Sequence, residues 1–128
     1  MIKYKEQNGL EYKARLDVEF TRTIDKRLKA ILLDLADEVQ RKFKKNIILT
    51  CLNRTEEENQ KVNGSPFSAH LYGRGADIRI WHFSQKELDF ITNYLYNIWS
   101  DDFLYIKIHD AGSGNHIHLN IKYKHRKV

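Results

Sequence analysis

Between positions 23 and 43 the apolar residues Ile24, Leu28, Ile31, Leu32, Leu35, Val39 and Phe43 recur at spacings of three and four. That period gathers them on one stripe of a helix and turns the polar residues outward, so this stretch is expected to be an amphipathic helix. Thr23 is the expected N-cap. Lys42, Lys44 and Lys45 crowd the far end, where the helix dipole favours cations. Asn46-Ile-Ile-Leu-Thr-Cys-Leu52 follows, apolar and partly β-branched, and reads as a central strand. Upstream, residues 1–20 alternate only weakly. The best stretch is Ala14-Arg-Leu16-Asp-Val18-Glu-Phe20, which predicts a short strand or an ordered arm.

The pattern changes after residue 53. Residues 53–73 are polar, with Asn63-Gly-Ser-Pro66 as a turn, and Thr55-Glu-Glu-Glu58 has the form of a capping box opening a short helix. Ala76-Asp-Ile-Arg-Ile-Trp81 alternates and predicts a strand. Ser84-Gln-Lys-Glu87 is a second capping box, and behind it Leu88, Ile91, Leu95, Ile98 and Trp99 give a second amphipathic helix. Two more strands are expected at 103–108 and 116–121, joined as a hairpin through Asp110-Ala-Gly-Ser-Gly114. This order predicts an α+β domain, with helices packed on one face of a small, largely antiparallel sheet. Trp81, Trp99 and the tyrosines between 94 and 105 are expected to serve packing.

Composition narrows the class. The 128 residues suit a single domain, 1–128, and an apolar share of 41% beside a charged share of 30% is that of a globular chain rather than a disordered one. No apolar run approaches the roughly 18 residues of a membrane span, and Met1-Ile-Lys-Tyr-Lys-Glu6 lacks the apolar core of a secretory signal. Synthesis in the cytoplasm is therefore expected, with release needed for any action outside. The one cysteine excludes an internal disulfide and a multi-cysteine zinc knot, and Cys51, in its apolar run, is expected as a small buried hydrophobe. The net charge of +5 and the basic tail Lys122-Tyr-Lys-His-Arg-Lys127 favour polyanions such as nucleic acid, anionic lipid or an anionic cell-wall polymer. The other basic residues are scattered and match no recognition motif, so specific nucleic-acid binding is not expected.

Two segments carry candidate chemistry: Ser68-Ala-His70-Leu-Tyr-Gly73-Arg-Gly-Ala-Asp77, and Asn115-His116-Ile-His118. Together they hold enough imidazole and carboxylate for a three-ligand zinc site, with one histidine left to handle protons. On a strand, residues i and i+2 share a face, so His116 and His118 can look into one cleft. Gly73 and Gly75 allow the chain a tight excursion between His70 and Asp77. His82, His109 and His125 are expected as surface or packing histidines.

Ser68-x-His70-x-x-Gly73-x-x-x-Asp77-Ile78 with a later His-x-His resembles the zinc D-alanyl-D-alanine carboxypeptidases and L-alanyl-D-glutamate endopeptidases of peptidoglycan, which include phage endolysins and share the Hedgehog-type fold. The resemblance runs from about Thr50 to His118. It implies that His70, Asp77 and His118 are zinc ligands, that His116 is catalytic, that Arg54 binds the substrate carboxylate or the developing oxyanion, and that Ser68 positions substrate. It further implies a lytic enzyme of phage or prophage origin acting on cell-wall peptides. Three positions depart from the family pattern: Gly75 replaces an alanine, Leu52-Asn53 replaces Gly-aromatic ahead of the arginine, and Asn115 stands where many members place an acid. The general base is then His116, or Asp110 reaching in from the turn. A non-catalytic zinc-binding module of the same fold is the alternative.

Overall fold

The computed structural model describes residues 2–99, 104–111 and 114–122, and of residues 109–111 and 114 the backbone alone. Strand β1 (Ile2–Tyr4) leads to helix α1 (Leu10–Val18), a π-helical turn (Glu19–Thr23) and helix α2 (Lys26–Phe43). Strand β2 (Ile47–Cys51), helix α3 (Glu56–Lys61), a 3-10 turn (Ala69–Tyr72) and strand β3 (Gly75–Arg79) follow. Helix α4 (Gln85–Ile98) and the hairpin β4 (Leu104–Ala111) and β5 (Gly114–Ile121) complete the chain. The sheet order is β1-β2-β3-β5-β4, with β1 parallel to β2 and every other pair antiparallel. This is the α+β arrangement the patterning predicts. No helix among the described residues is long and apolar enough to cross a membrane.

The stripe on α2 does what its period requires. Leu28, Ile31, Leu32, Leu35, Ala36 and Val39 are buried, and α2 packs on α4 and β5. The sheet supplies the opposing surface, since Ala76 pairs with Leu119 and Ile78 with Ile117, and all four are buried. Both capping boxes form, at Thr55/Glu58 and Ser84/Glu87. Tyr94 and Trp99 on the α4 side both donate to the Asp34 carboxylate of α2, at 2.7 and 3.0 Å, so these two aromatics serve packing as expected.

Four expectations are corrected. The cap of α2 is Asp25, which accepts from the backbone N–H groups of Arg27 and Leu28, because the π turn carries the chain past Thr23. Residues 14–20 are not a strand. Leu16 and Phe20 are buried but Val18 is half exposed, so the spacing that matters there is i to i+4, and the strand lies earlier at Ile2–Tyr4. Trp81 is 66% exposed and outside the core. Cys51 is only half buried and lines a cleft rather than the core.

One polar network ties the cleft's wall to the fold. The Arg15 guanidinium on α1 donates to both Glu58 oxygens at 2.6 and 2.8 Å, to Glu19 at 2.8 Å and to the Asn53 carbonyl at 3.0 Å, and Glu19 accepts the Asn53 N–H at 3.1 Å. Bidentate pairing holds the Glu58 carboxyl down at about 2. Arg15→Ala is expected to lower unfolding stability by about 1–3 kcal/mol, because partly buried charged hydrogen bonds are lost at once. Urea denaturation followed by circular dichroism measures it.

Candidate metal centre

The face of the sheet turned away from α2 carries polar residues on successive strands. On β3 and β5 the register sets Asp77 opposite His118, Arg79 opposite His116 and Gly75 opposite Asn120. On β4, Tyr105 and Lys107 face Asn120 and His118. Asp77, His116, His118, Asn120, Tyr105 and Lys107 floor a cleft of about 740 Å3, walled by Tyr12 of α1, by Arg54 and Glu58 and by the loop around Phe67 and Ser68.

Asp77 is the centre of the site, with 5% of its surface exposed. Its two carboxylate oxygens have different neighbours. Oδ1 lies 3.2 Å from His70 Nε2 and 2.9 Å from His118 Nδ1. Oδ2 lies 3.7 Å from His116 Nε2 and 3.9 Å from Arg54 Nη2. The five residues come from β2's exit, the 3-10 turn, β3 and β5, so the constellation exists only in the folded chain.

Each inner histidine is oriented by its other nitrogen. His70 Nδ1–H donates to the Leu52 carbonyl at 2.6 Å, which turns Nε2 toward Asp77. His118 Nε2–H donates to Asn120 Oδ1 at 2.8 Å, which turns Nδ1 toward the same oxygen. Lone pairs on two ring nitrogens then face a carboxylate oxygen, and such an arrangement is repulsive unless protons or a cation stand between them. Zinc fits that requirement, since imidazole nitrogen and carboxylate oxygen are donors it takes readily. Cys51, His70 and Asp77 also each place a donor atom within 4.8 Å of the others. The Cys51 thiol, however, approaches His70 at Nδ1, at 3.7 Å, the nitrogen already committed to Leu52. His70 Nε2 and His118 Nδ1, by contrast, both face Asp77 Oδ1.

The protonation of the metal-free cluster follows from the same contacts. Burial by itself opposes a charged His70, but hydrogen bonds to Asp77 and Cys51 outweigh it and raise the ring to about 10. Burial likewise opposes charge on Asp77, and the hydrogen bonds from His118 and His70 hold its carboxyl far below its ordinary 3.8. A raised histidine stabilises the fold fully below its ordinary 6.5 and loses that contribution as pH rises toward 10, whereas a lowered carboxyl stabilises above 3.8 and loses it in acid. Metal-free protein is therefore expected to melt highest between about pH 4 and 6.5 and to weaken toward pH 10, where bound zinc removes the alkaline loss. Thermal melts with chelator and with zinc across that range check this.

Arg54 is placed by residues that carry no obvious signal in the sequence. Its backbone N–H donates to the His70 carbonyl at 2.9 Å, and its Nη1 donates to Asn59 Oδ1 at 3.3 Å. Asn59 is buried and donates in turn to the Ser65 carbonyl at 2.8 Å. A Cβ at Gly64 would stand 2.0 Å from Asn59 Oδ1, so only glycine admits this packing. Gly75 has a similar role at His70, where an added Cβ would meet the backbone nitrogen and Nδ1 at 3.1 Å. The absence of a side chain at Gly75 thus gives the His70 ring its room.

Ser68 caps the 3-10 turn by accepting the His70 N–H at 3.3 Å, and it also lines the cleft. Asn120 was legible in principle, two residues past His118 on the same face. His82 is a packing histidine, its Nε2–H donating to the Asn46 carbonyl at 3.0 Å. The side chains of His109 and Asp110, and all of His125, lie outside the described residues. So do residues 123–128, which hold most of the basic tail.

A family model described as Peptidase M15 matches residues 8–120. No curated protein and no solved structure matches the chain significantly.

Proposed function

The chain belongs to the peptidase M15 family of metallopeptidases, and on that premise we propose that it is a zinc enzyme hydrolysing peptidoglycan stem peptides, as an L-alanyl-D-glutamate endopeptidase or a D-alanyl-D-alanine carboxypeptidase, in phage or prophage lysis. The observation that carries this reading is the division of labour around Asp77: two oriented histidines at one oxygen, a histidine and an arginine at the other. His70, Asp77 and His118 are the ligands in this reading, with Cys51 outside the set.

Zinc, when bound, supplies a Lewis acid that acidifies water and polarises a carbonyl oxygen. The remaining chemistry belongs to the chain. His116, beside the ligands on β5 and open to the cleft, accepts a proton from the attacking water and returns it to the leaving amine. One O–H bond and one C–N bond break while one C–O bond and one N–H bond form, so the step needs no other reactant. Arg54, held by Asn59 and the His70 carbonyl, offers its charge to the developing oxyanion or to a substrate carboxylate. Asn115 supplies no acid, which supports His116 rather than its neighbour as the proton carrier. The net charge of +5 supports attraction to an anionic wall polymer.

Mass spectrometry of purified peptidoglycan digested with and without a zinc chelator tests the reading. A chelator-sensitive cut is expected, and its product masses separate release of D-alanine from cleavage after L-alanine. An unchanged digest from folded, zinc-loaded protein would leave the non-catalytic metal module in its place.

A further inference from the structure

Past His116 the principal cleft opens into a smaller recess of about 220 Å3 that the hydrolytic scheme leaves unused. Its walls are Lys5 and Gln7 from the segment after β1, Thr50 on β2, Arg79 at the end of β3 and Trp81 just past it, and Asn115 and His116 on β5. We propose that this recess is a substrate subsite for a carboxylate, held by Arg79 and Lys5 close to the hydrolysed bond. The proposal rests on the peptidase reading above and adds the anionic character of the peptide it accepts.

Continuity comes first. Lys5, Thr50 and His116 line both the recess and the main cleft, so one extended ligand can occupy the two together. Arg79 lies directly opposite His116 across the β3–β5 ladder, which puts both side chains on the same face of the sheet. A group held by Arg79 is therefore next to the residue assigned to proton transfer.

Charge comes second. Among the described residues the recess wall holds two cations and no carboxylate. Glu6, on the same segment, pairs with Lys13 at 2.8 Å, and that pairing is the main reason its carboxyl is lowered, with smaller contributions from the charges of Lys3 and Arg79. Lys5 has no carboxylate partner among the described residues.

Preorganisation comes third. The Arg79 guanidinium stacks 4.7 Å over the Trp81 ring, and its Nη2 donates to Gln7 Oε1 at 2.6 Å. A guanidinium has five N–H donors, and two anchors of this kind fix its plane while leaving donors for a bidentate carboxylate. This also accounts for Trp81, which is large, 66% exposed, and placed where it serves the arginine rather than the core. A short peptide whose D-glutamyl residue keeps a free carboxylate meets these terms, and the amidated peptide does not.

The experiment titrates the zinc-loaded protein with such a peptide, as free acid and as amide. Tryptophan emission reports binding on mixing, and product masses report hydrolysis. The free acid is expected to bind about tenfold more tightly, the usual worth of one charge-assisted contact. That preference is expected to vanish in Arg79→Gln and to shrink in Lys5→Gln, which provides a second reading should the first variant fold poorly. Equal binding of acid and amide, or a preference that survives both substitutions, would overturn the subsite. Hydrolysis of both peptides without preference sinks the subsite and leaves the peptidase reading standing. An Arg79-dependent preference without hydrolysis of either peptide does the reverse.

Discussion

Asp77→Asn is expected to abolish zinc binding and, with it, peptide hydrolysis. The substitution keeps the shape of the side chain and removes the one full negative charge on the cleft floor that both inner histidines face. An amide oxygen is a far weaker zinc donor than a carboxylate, and the amide nitrogen brings hydrogens toward the pole where the ring lone pairs converge. Loss of the metal forfeits several kcal/mol of transition-state stabilisation, so the rate is expected to fall by roughly a thousandfold or more at 1.36 kcal/mol per tenfold. Metal content by atomic absorption and hydrolysis of a stem peptide give the two readouts. A variant that retains one zinc per chain would remove Asp77 from the ligand set. The alkaline weakening of the metal-free protein should also diminish in this variant, because the interaction that raises His70 is gone.

His116→Ala is expected to separate the two functions that Asp77→Asn removes together. His116 approaches Asp77 at Oδ2, at 3.7 Å, whereas His70 and His118 face Oδ1. Zinc should therefore remain bound at one ion per chain, while hydrolysis falls by about 10²- to 10⁴-fold, the usual worth of a positioned general base. Loss of zinc alongside activity would make His116 a support for the metal rather than the proton carrier. Full activity in a zinc-loaded variant would pass that role to another group, with Asp110 the remaining candidate from the turn. His118→Ala is the internal contrast, since it should lose metal and activity alike.

Much of the molecule is legible in the sequence itself. Hydrophobic period placed α2 and α4, the two capping boxes placed the starts of α3 and α4, and alternation placed β3, β4 and β5. Those signals are local: a helix must bury every third or fourth residue and a strand every second, whatever lies opposite. The His-x6-Asp and His-x-His spacings likewise named the residues that meet at Asp77. The N-terminal segment misled because Leu16 and Phe20 satisfy a strand's alternation and a helix's i to i+4 spacing equally, and only contact with the core chose the helix.

What the tertiary structure decided is mostly a matter of register and reach. Cys51 is two residues beyond buried Leu49, so simple alternation assigns it to the core. A register shift between the two residues, a bulge at Thr50, instead sets Cys51 opposite Asp77 and turns it into the cleft. Spacing cannot announce that shift, because it depends on how β2 must bend against β3. The partners that orient the site are of the same kind. The Leu52 carbonyl behind His70, Asn59 behind Arg54 and the bare Cα of Gly64 behind Asn59 carry no pattern in one dimension. Arg79 and Trp81 looked like the outer half of a strand and a core aromatic, and became the wall of a cationic recess only when β5 came alongside. The chain's own order chose the elements and the chemically capable residues; which of their atoms face one another was settled by packing, since a hydrogen bond is made or missed within about half an ångström and no local period specifies position that finely.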